Sequence, residues 1–114
     1  MNFPHWPANY GNAVRLAQEA GFDAVEIHAG HGYLISQFLS PYTNHRKDEY
    51  GGSLNNRMRF MDQVMNEVTK AAGNHTAVLV KMNMSDGFKG GMEKDECLQV
   101  ARRLVDDGAQ ALVL

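Results

Sequence analysis

The sequence predicts an α/β fold built on parallel strands. Two observations carry that expectation. Helical periods and short apolar runs alternate in the order helix–strand, helix–strand, helix–strand. All three junctions also share one design: Gly21, Gly73 and Gly108 end the helices, and a few residues later Ala24, Ala77 and Ala111 lead the apolar runs. Helices alternating with buried strands indicate a parallel sheet with right-handed crossovers. Two architectures satisfy this, a doubly wound sheet and a (β/α)8 barrel.

Residues 1–9 hold two of the three prolines and show no period, so they read as an irregular lead-in. From Tyr10 the pattern turns helical, with Tyr10, Ala13, Val14, Ala17 and Ala20 on one face and Gly21 as the stop. Phe22 to His28 reads as the first strand. Ala29 to Ser53 is too long for an idle connection and is expected to be a functional loop, with a short apolar stretch inside it. Ser53 can cap the next helix. Along that helix Leu54, Met58, Met61, Met65, Val68 and Ala72 form a stripe at spacings of three and four. Ala77 to Asn83 is the second strand and Asp86 to Gly91 a glycine-rich loop. A third helix is expected over Glu93 to Asp107 with Cys97, Ala101, Leu104 and Val105 inward, and Ala111 to Leu114 opens a third strand.

Composition narrows the function classes. The chain has 114 residues, 44% hydrophobic and 21% charged, with a net charge of −2, so it offers no electrostatic footprint for nucleic acid or an anionic membrane. A single cysteine, Cys97, excludes an internal disulfide framework and fits a reducing compartment. No apolar run reaches the ~18 residues of a membrane span, and the N-terminus lacks a signal-peptide pattern. A cytoplasmic location is expected.

Strand alternation points to the chemistry. On the first strand Val25 and Ile27 face the helices, and Ala24, Glu26 and His28 face the other way. On the second, Val78, Val80 and Met82 face the helices, and Leu79, Lys81 and Asn83 face inward. A carboxylate, an imidazole and an amine thus meet near the C-terminal ends of two strands, where the active sites of parallel barrels lie. Glu26 and Lys81 could pair as a salt bridge there. His28-Ala29-Gly30-His31-Gly32-Tyr33 continues from the strand: two imidazoles three residues apart on a turn can aim N–H groups at one acceptor, and Tyr33 adds a phenolic proton. Gly30 and Gly32 permit the bends this requires. The same His-x-x-His could serve as a zinc pair, but no second cluster has zinc spacing. Cys97 and the methionines of the stripe read as core.

About forty consecutive residues, Ala20 to Phe60 (AGFDAVEIHAGHGYLISQFLSPYTNHRKDEYGGSLNNRMRF), closely resemble the fourth-strand region of the old yellow enzyme family of NADH:flavin oxidoreductases. The matching elements are the AGFD helix end, the VEIH strand, the HxxHGY turn and the QFLSP…DEYGGS…NR.RF run. Asn55 departs from the family's usual glutamate. The resemblance implies a (β/α)8 barrel, FMN as cofactor, NADH or NADPH as reductant, and an α,β-unsaturated carbonyl compound (an enone or enoate) as substrate. It also implies roles: His28 and His31 hydrogen-bond the substrate's activating oxygen, Tyr33 supplies a proton, and Lys81 stands for the basic residue near the flavin N1/O2 edge. Asp48 to Gly52 and Arg57 match as structural residues.

At ~31 residues per βα unit the chain holds three to four units of such a barrel. It is therefore expected to be a central piece of an FMN-binding domain, completed by missing barrel segments, with a homo-oligomer as one form open to its parent. Alone, it is expected neither to retain FMN nor to reduce enones. Two other readings stand beside this one: a non-catalytic truncated barrel, and a flavin-free barrel isomerase using His28, His31 and Tyr33.

Overall fold

The structure, a computed structural model, describes residues 5–114. Its elements are α1 (Trp6–Glu19), β1 (Ala24–His28), α2 (Leu34–Leu39), α3 (Leu54–Arg57), α4 (Arg59–Ala72), β2 (Ala77–Lys81), α5 (Lys94–Asp106) and β3 (Ala111–Val113). The three strands form one parallel sheet in the order β1-β2-β3. The junction alanines Ala24 and Ala77 pair with each other, whereas Ala111 pairs with Leu79, two residues further along β2.

The irregular lead-in is corrected where it is described: α1 starts at Trp6, not Tyr10, with Pro7 in its first turn. Proline suits that position because the first-turn N–H groups have no intrahelical partner and its φ is already helical. Residues 1–4 of that segment lie outside the described residues. The buried face of α1 also differs from the expected one. Pro7, Gly11 and Val14 are buried, and Ala13 and Ala20 are exposed. Gly11 lies against α4, where an added Cβ would sit 3.1 Å from the Glu67 carbonyl oxygen. A glycine contributes no hydrophobic signal, so the centre of this face is invisible to a periodicity count. Gln18 completes the contact, its Nε2 donating to the carbonyls of Ala71 and Ala72 and to Thr76 Oγ1 at 2.8–3.3 Å. It thereby serves carbonyls that the end of α4 leaves without helical partners.

The methionine stripe packs as expected. Met58, Met61, Met65, Val68 and Ala72 are buried, joined by Phe60 and Val64, and Phe60 stacks on Phe38 at 4.4 Å. Ser53 caps α3, its Oγ accepting the Asn56 N–H at 3.2 Å. On α5 the buried residues are Cys97, Val100 and Leu104, while Val105, expected inward, is 56% exposed. The 97–100–104 spacing turns the stripe so that Val105 falls outside it. Burial, with the acidic neighbours Asp86, Glu96 and Asp95 adding to it, pushes the Cys97 thiol up to about 11, which keeps it an inert core residue. Gly21, Gly73 and Gly108 all have positive φ, so the helix-ending glycines hold the conformation their position requires.

Two carboxyl groups meet between α4 and the end of α5. Asp62 Oδ1 and Asp107 Oδ2 are buried without a donor, and Arg103 Nη1 donates to the other Asp62 oxygen at 2.6 Å while its Nη2 reaches Asn55 Oδ1. Burial, and then the hydrogen bond and charge of Asp62, push Asp107 up to about 7, with Asp106 acting the same way and Arg103 opposing. A proton shared between the two acids satisfies both oxygens. Because the folded form holds this proton more tightly than the unfolded chain, the contribution to stability is fully present below about pH 4 and is lost as pH rises towards 7. Asp107→Asn, neutral at every pH, is therefore expected to raise Tm above pH 7 and to flatten its pH dependence between 4 and 7. Thermal unfolding of both proteins across that range checks this.

Candidate functional site

The site is assembled where β1 and β2 end. His28 and Lys81 are Cα partners across the two strands, and the Ala29 N–H donates to the Lys81 carbonyl at 2.7 Å. Burial alternates as the period requires. Ile27, Val78 and Val80 are buried beneath the helices, while Ala24, Glu26 and His28 are exposed on the opposite face. Glu26 pairs in register with Leu79, two residues before Lys81, and the salt bridge open to Glu26 and Lys81 is not formed among the described residues.

The turn after β1 brings the three predicted side chains together. The rings of His28 and His31 lie 5.2 Å apart, edge to face, and those of His28 and Tyr33 lie 5.0 Å apart. All three residues are exposed, Tyr33 by 63%. The Gly30 N–H donates to His28 Nδ1 at 3.3 Å. An imidazole accepting at Nδ1 carries its proton on Nε2, so Nε2 is the donor available to a ligand. His31 takes a left-handed backbone (φ 57) and is the one non-glycine residue to do so among the described residues. Gly32 follows at φ 78. Gly30 is needed for close approach, since an added Cβ would lie 2.7 Å from Asn83 Oδ1.

Sequence reasoning assigns no role to the residues that hold this turn. Asn83 Oδ1 accepts the His31 N–H at 3.0 Å, and Asn83 Nδ2 donates to Asp86 Oδ1 at 3.1 Å. Asp86 Oδ2 in turn accepts from Ser40 Oγ and the Met92 N–H, both at 2.6 Å. On the other side the Gly32 N–H donates to Ser36 Oγ, and Gln37 Nε2 donates to the Gly32 carbonyl. Two serines, in and just after an otherwise apolar stretch, are the available signal. A cavity of about 590 Å³ opens beside this network, bordered by His31, Asn83, Asp86, Ser36 and Phe88.

The long loop is held by buried polar side chains. Arg57 donates to the carbonyls of Leu39 and Gly52 and pairs with Glu96 at 2.6 Å, while Asn44 Nδ2 donates to the carbonyls of Phe38 and Tyr50. Tyr50 hydrogen-bonds Gln63 on α4.

Lys81 is half-buried, and its ammonium has no hydrogen-bond or ion-pair partner among the described residues. A lysine without a counter-charge, at the strand position paired with His28, is part of a donor set that fits an anionic cofactor or substrate group. No three His, Cys, Asp or Glu side chains converge as a metal site among the described residues. None of the described helices is long and apolar enough to cross a membrane.

Parallel strands joined by helices, with polar side chains gathered at the strand ends, fit a doubly wound sheet or a (β/α)8 barrel, and likeness to solved old yellow enzymes selects a segment of the barrel. The chain belongs to the NADH:flavin oxidoreductase / NADH oxidase family, whose model matches residues 6–113. It is 45% identical over 101 residues to the 4,4'-dithiodibutanoate disulfide reductase of Rhodococcus erythropolis, covering 89% of this chain and 25% of that one. It is 39% identical over 103 residues to the NADPH dehydrogenase of Geobacillus sp. (strain WCH70), covering 90% and 30%. Among solved structures, the old yellow enzyme homologue from Zymomonas mobilis superimposes with a TM-score of 0.78 at 35% identity, covering 96% of this chain and 31% of that one. The chain thus spans between a quarter and a third of these curated relatives. The family brings with it FMN, reduced by NADH or NADPH.

Proposed function

We propose that the whole protein reduces the activated C=C bond of an enone or enoate with FMN, and that this segment supplies the groups that polarise and protonate the substrate. The single observation carrying this reading is the gathering of His28, His31 and Tyr33 within 5.0–5.2 Å at the end of β1, beside the unpaired Lys81 of β2. FMN, when bound, supplies the hydride. His28 and His31 donate N–H bonds to the carbonyl oxygen and stabilise the negative charge that develops there. Tyr33 gives its phenolic proton to the α-carbon as general acid. Lys81 would hold the flavin by charge and would stabilise negative charge on it; lysine keeps the point charge but lacks arginine's two-pronged geometry. The testing experiment is anaerobic: the whole protein is bleached with NADPH or NADH and then mixed with 2-cyclohexenone. Return of the oxidised flavin spectrum with formation of cyclohexanone is expected, and a flavin that stays bleached would sink the reading.

Lys81 provides an independent check. Lys81→Met is expected to lower the flavin's reduction potential, by about 20 mV for each kcal/mol of lost charge stabilisation in a two-electron couple. Lys81→Arg is expected to leave it nearly unchanged. Spectroelectrochemical titration of the three proteins measures both.

A further inference from the structure

We propose that Asn83, backed by Asp86, is a positioning residue that sets His31 beside His28 for their common acceptor; this rests on the oxygen-binding role of His28 and His31 proposed above. Three observations converge on it. His31 holds a left-handed backbone that a residue with a Cβ adopts only at a cost, and Asn83 Oδ1 accepts the N–H of that same residue. Gly30 is pressed onto the same oxygen so closely that it has no room for a Cβ. The carboxamide is itself fixed from behind: Asp86 accepts from its Nδ2 and is anchored to Ser40 at the end of α2 and to the Met92 N–H that follows the glycine-rich loop. A continuous chain of hydrogen bonds thus runs from the loop after β2 into the turn after β1. It crosses from one strand's loop to the next, and it ends on the backbone of His31 rather than on its ring. The imidazole therefore takes its placement from a neighbouring strand.

The network has a polarity that makes it testable. Asn83 presents its oxygen to His31 and its amide N–H to Asp86, so the two side chains can exchange identities. In Asn83→Asp two carboxylates face each other and the turn loses its support. In Asp86→Asn the amide has donors on both sides, Asn83 Nδ2 on one and the Met92 N–H on the other, so its own NH2 must face one of them. In the double variant N83D/D86N the carboxylate has moved to position 83, where it accepts from both the His31 N–H and the amide now at position 86. The oxygen of that amide takes the bonds from Ser40 and Met92, and the net charge is unchanged.

The experiment uses the whole FMN-loaded protein. Binding of p-hydroxybenzaldehyde serves as the probe of an oxyanion between the imidazoles, alongside single-turnover rates of flavin reduction by NAD(P)H and of flavin reoxidation by 2-cyclohexenone. N83D and Asn83→Ala are expected to weaken phenol binding and slow reoxidation by roughly 10–100-fold, as misplacement of a reacting group does. Flavin reduction should be unaltered, which also shows that the variant is folded, and N83D/D86N should recover most of the loss. If N83D does not fold, N83A carries the same comparison. His31→Ala is run in parallel. A normal His31→Ala overturns the oxygen-binding role and this inference with it. An impaired His31→Ala beside a normal N83A, or flavin reduction slowed as much as reoxidation in N83A, overturns the positioning role alone.

Discussion

Replacing Tyr33 by phenylalanine in the whole protein is expected to slow enone-driven flavin reoxidation by roughly 10²–10⁴-fold, the usual weight of a positioned general acid. Flavin reduction by NAD(P)H should barely change, because that half-reaction takes no proton from the phenol. The geometry gives the substitution its discrimination. Tyr33 caps the start of α2 with an extended backbone and no side-chain capping bond, so its hydroxyl has no helix-holding duty to lose. Its ring contact with His28, at 5.0 Å, is kept by phenylalanine. Stopped-flow measurement of the two half-reactions separates the outcomes. Equal slowing of both would remove Tyr33 from the acid role, and an unchanged reoxidation rate would give the proton to another donor.

The second large effect is expected at the imidazoles. His28→Ala and His31→Ala should each cost roughly 10²–10³-fold in enone reduction, the range for deleting one donor to a developing oxyanion. Each should also weaken binding of a phenolate-type inhibitor while leaving FMN in place, since Lys81 and not either imidazole is proposed to hold the flavin. The two losses should not simply add, because the ring centroids lie 5.2 Å apart and the proposed function gives them one acceptor. The double variant decides this: a fully additive loss would mean that the two imidazoles serve different acceptors. Loss of zinc on elemental analysis of either variant would favour the metal reading instead.

How much of this is legible in the sequence follows from what each residue type can signal. The strands and their facing are readable because a period of two separates Ile27 and Val80 from Glu26 and Lys81 without ambiguity. The turn after β1 is readable because His28, His31 and Tyr33 are chemically rare and close in sequence. The face of α1 is not, since Gly11 is pressed against α4 at its centre and Pro7 is buried in its first turn, both silent in the periodicity count. Asn83 and Asp86 escape notice as anchors of the turn for a different reason. Their partners, His31 and Ser40, lie 52 and 46 residues away, and only the pairing of β1 with β2 brings them within reach. The ion pair open to Glu26 and Lys81 is not formed among the described residues: Glu26 lies opposite Leu79, which leaves Lys81 as its diagonal neighbour and not its direct partner.

The long loop between α2 and α3 has a consequence for how such a protein can change over generations. Its path is fixed through main-chain carbonyls, those of Phe38, Leu39, Tyr50 and Gly52, gripped by Asn44 and Arg57 from beneath. Carbonyls are common to every amino acid, so the grip is blind to what the outer residues are. His45 and Lys47 are exposed, and their side chains hold nothing among the described residues. Glu49 is engaged only through its backbone oxygen, which Arg59 contacts. Drift at these three positions can therefore redraw the charge and shape of the protein's outer surface while the route of the chain, and the turn that carries the chemistry, stays where it is. Asn44 and Arg57 do not share this freedom, and neither does Gly51, where an added Cβ would run into the Arg46 carbonyl oxygen.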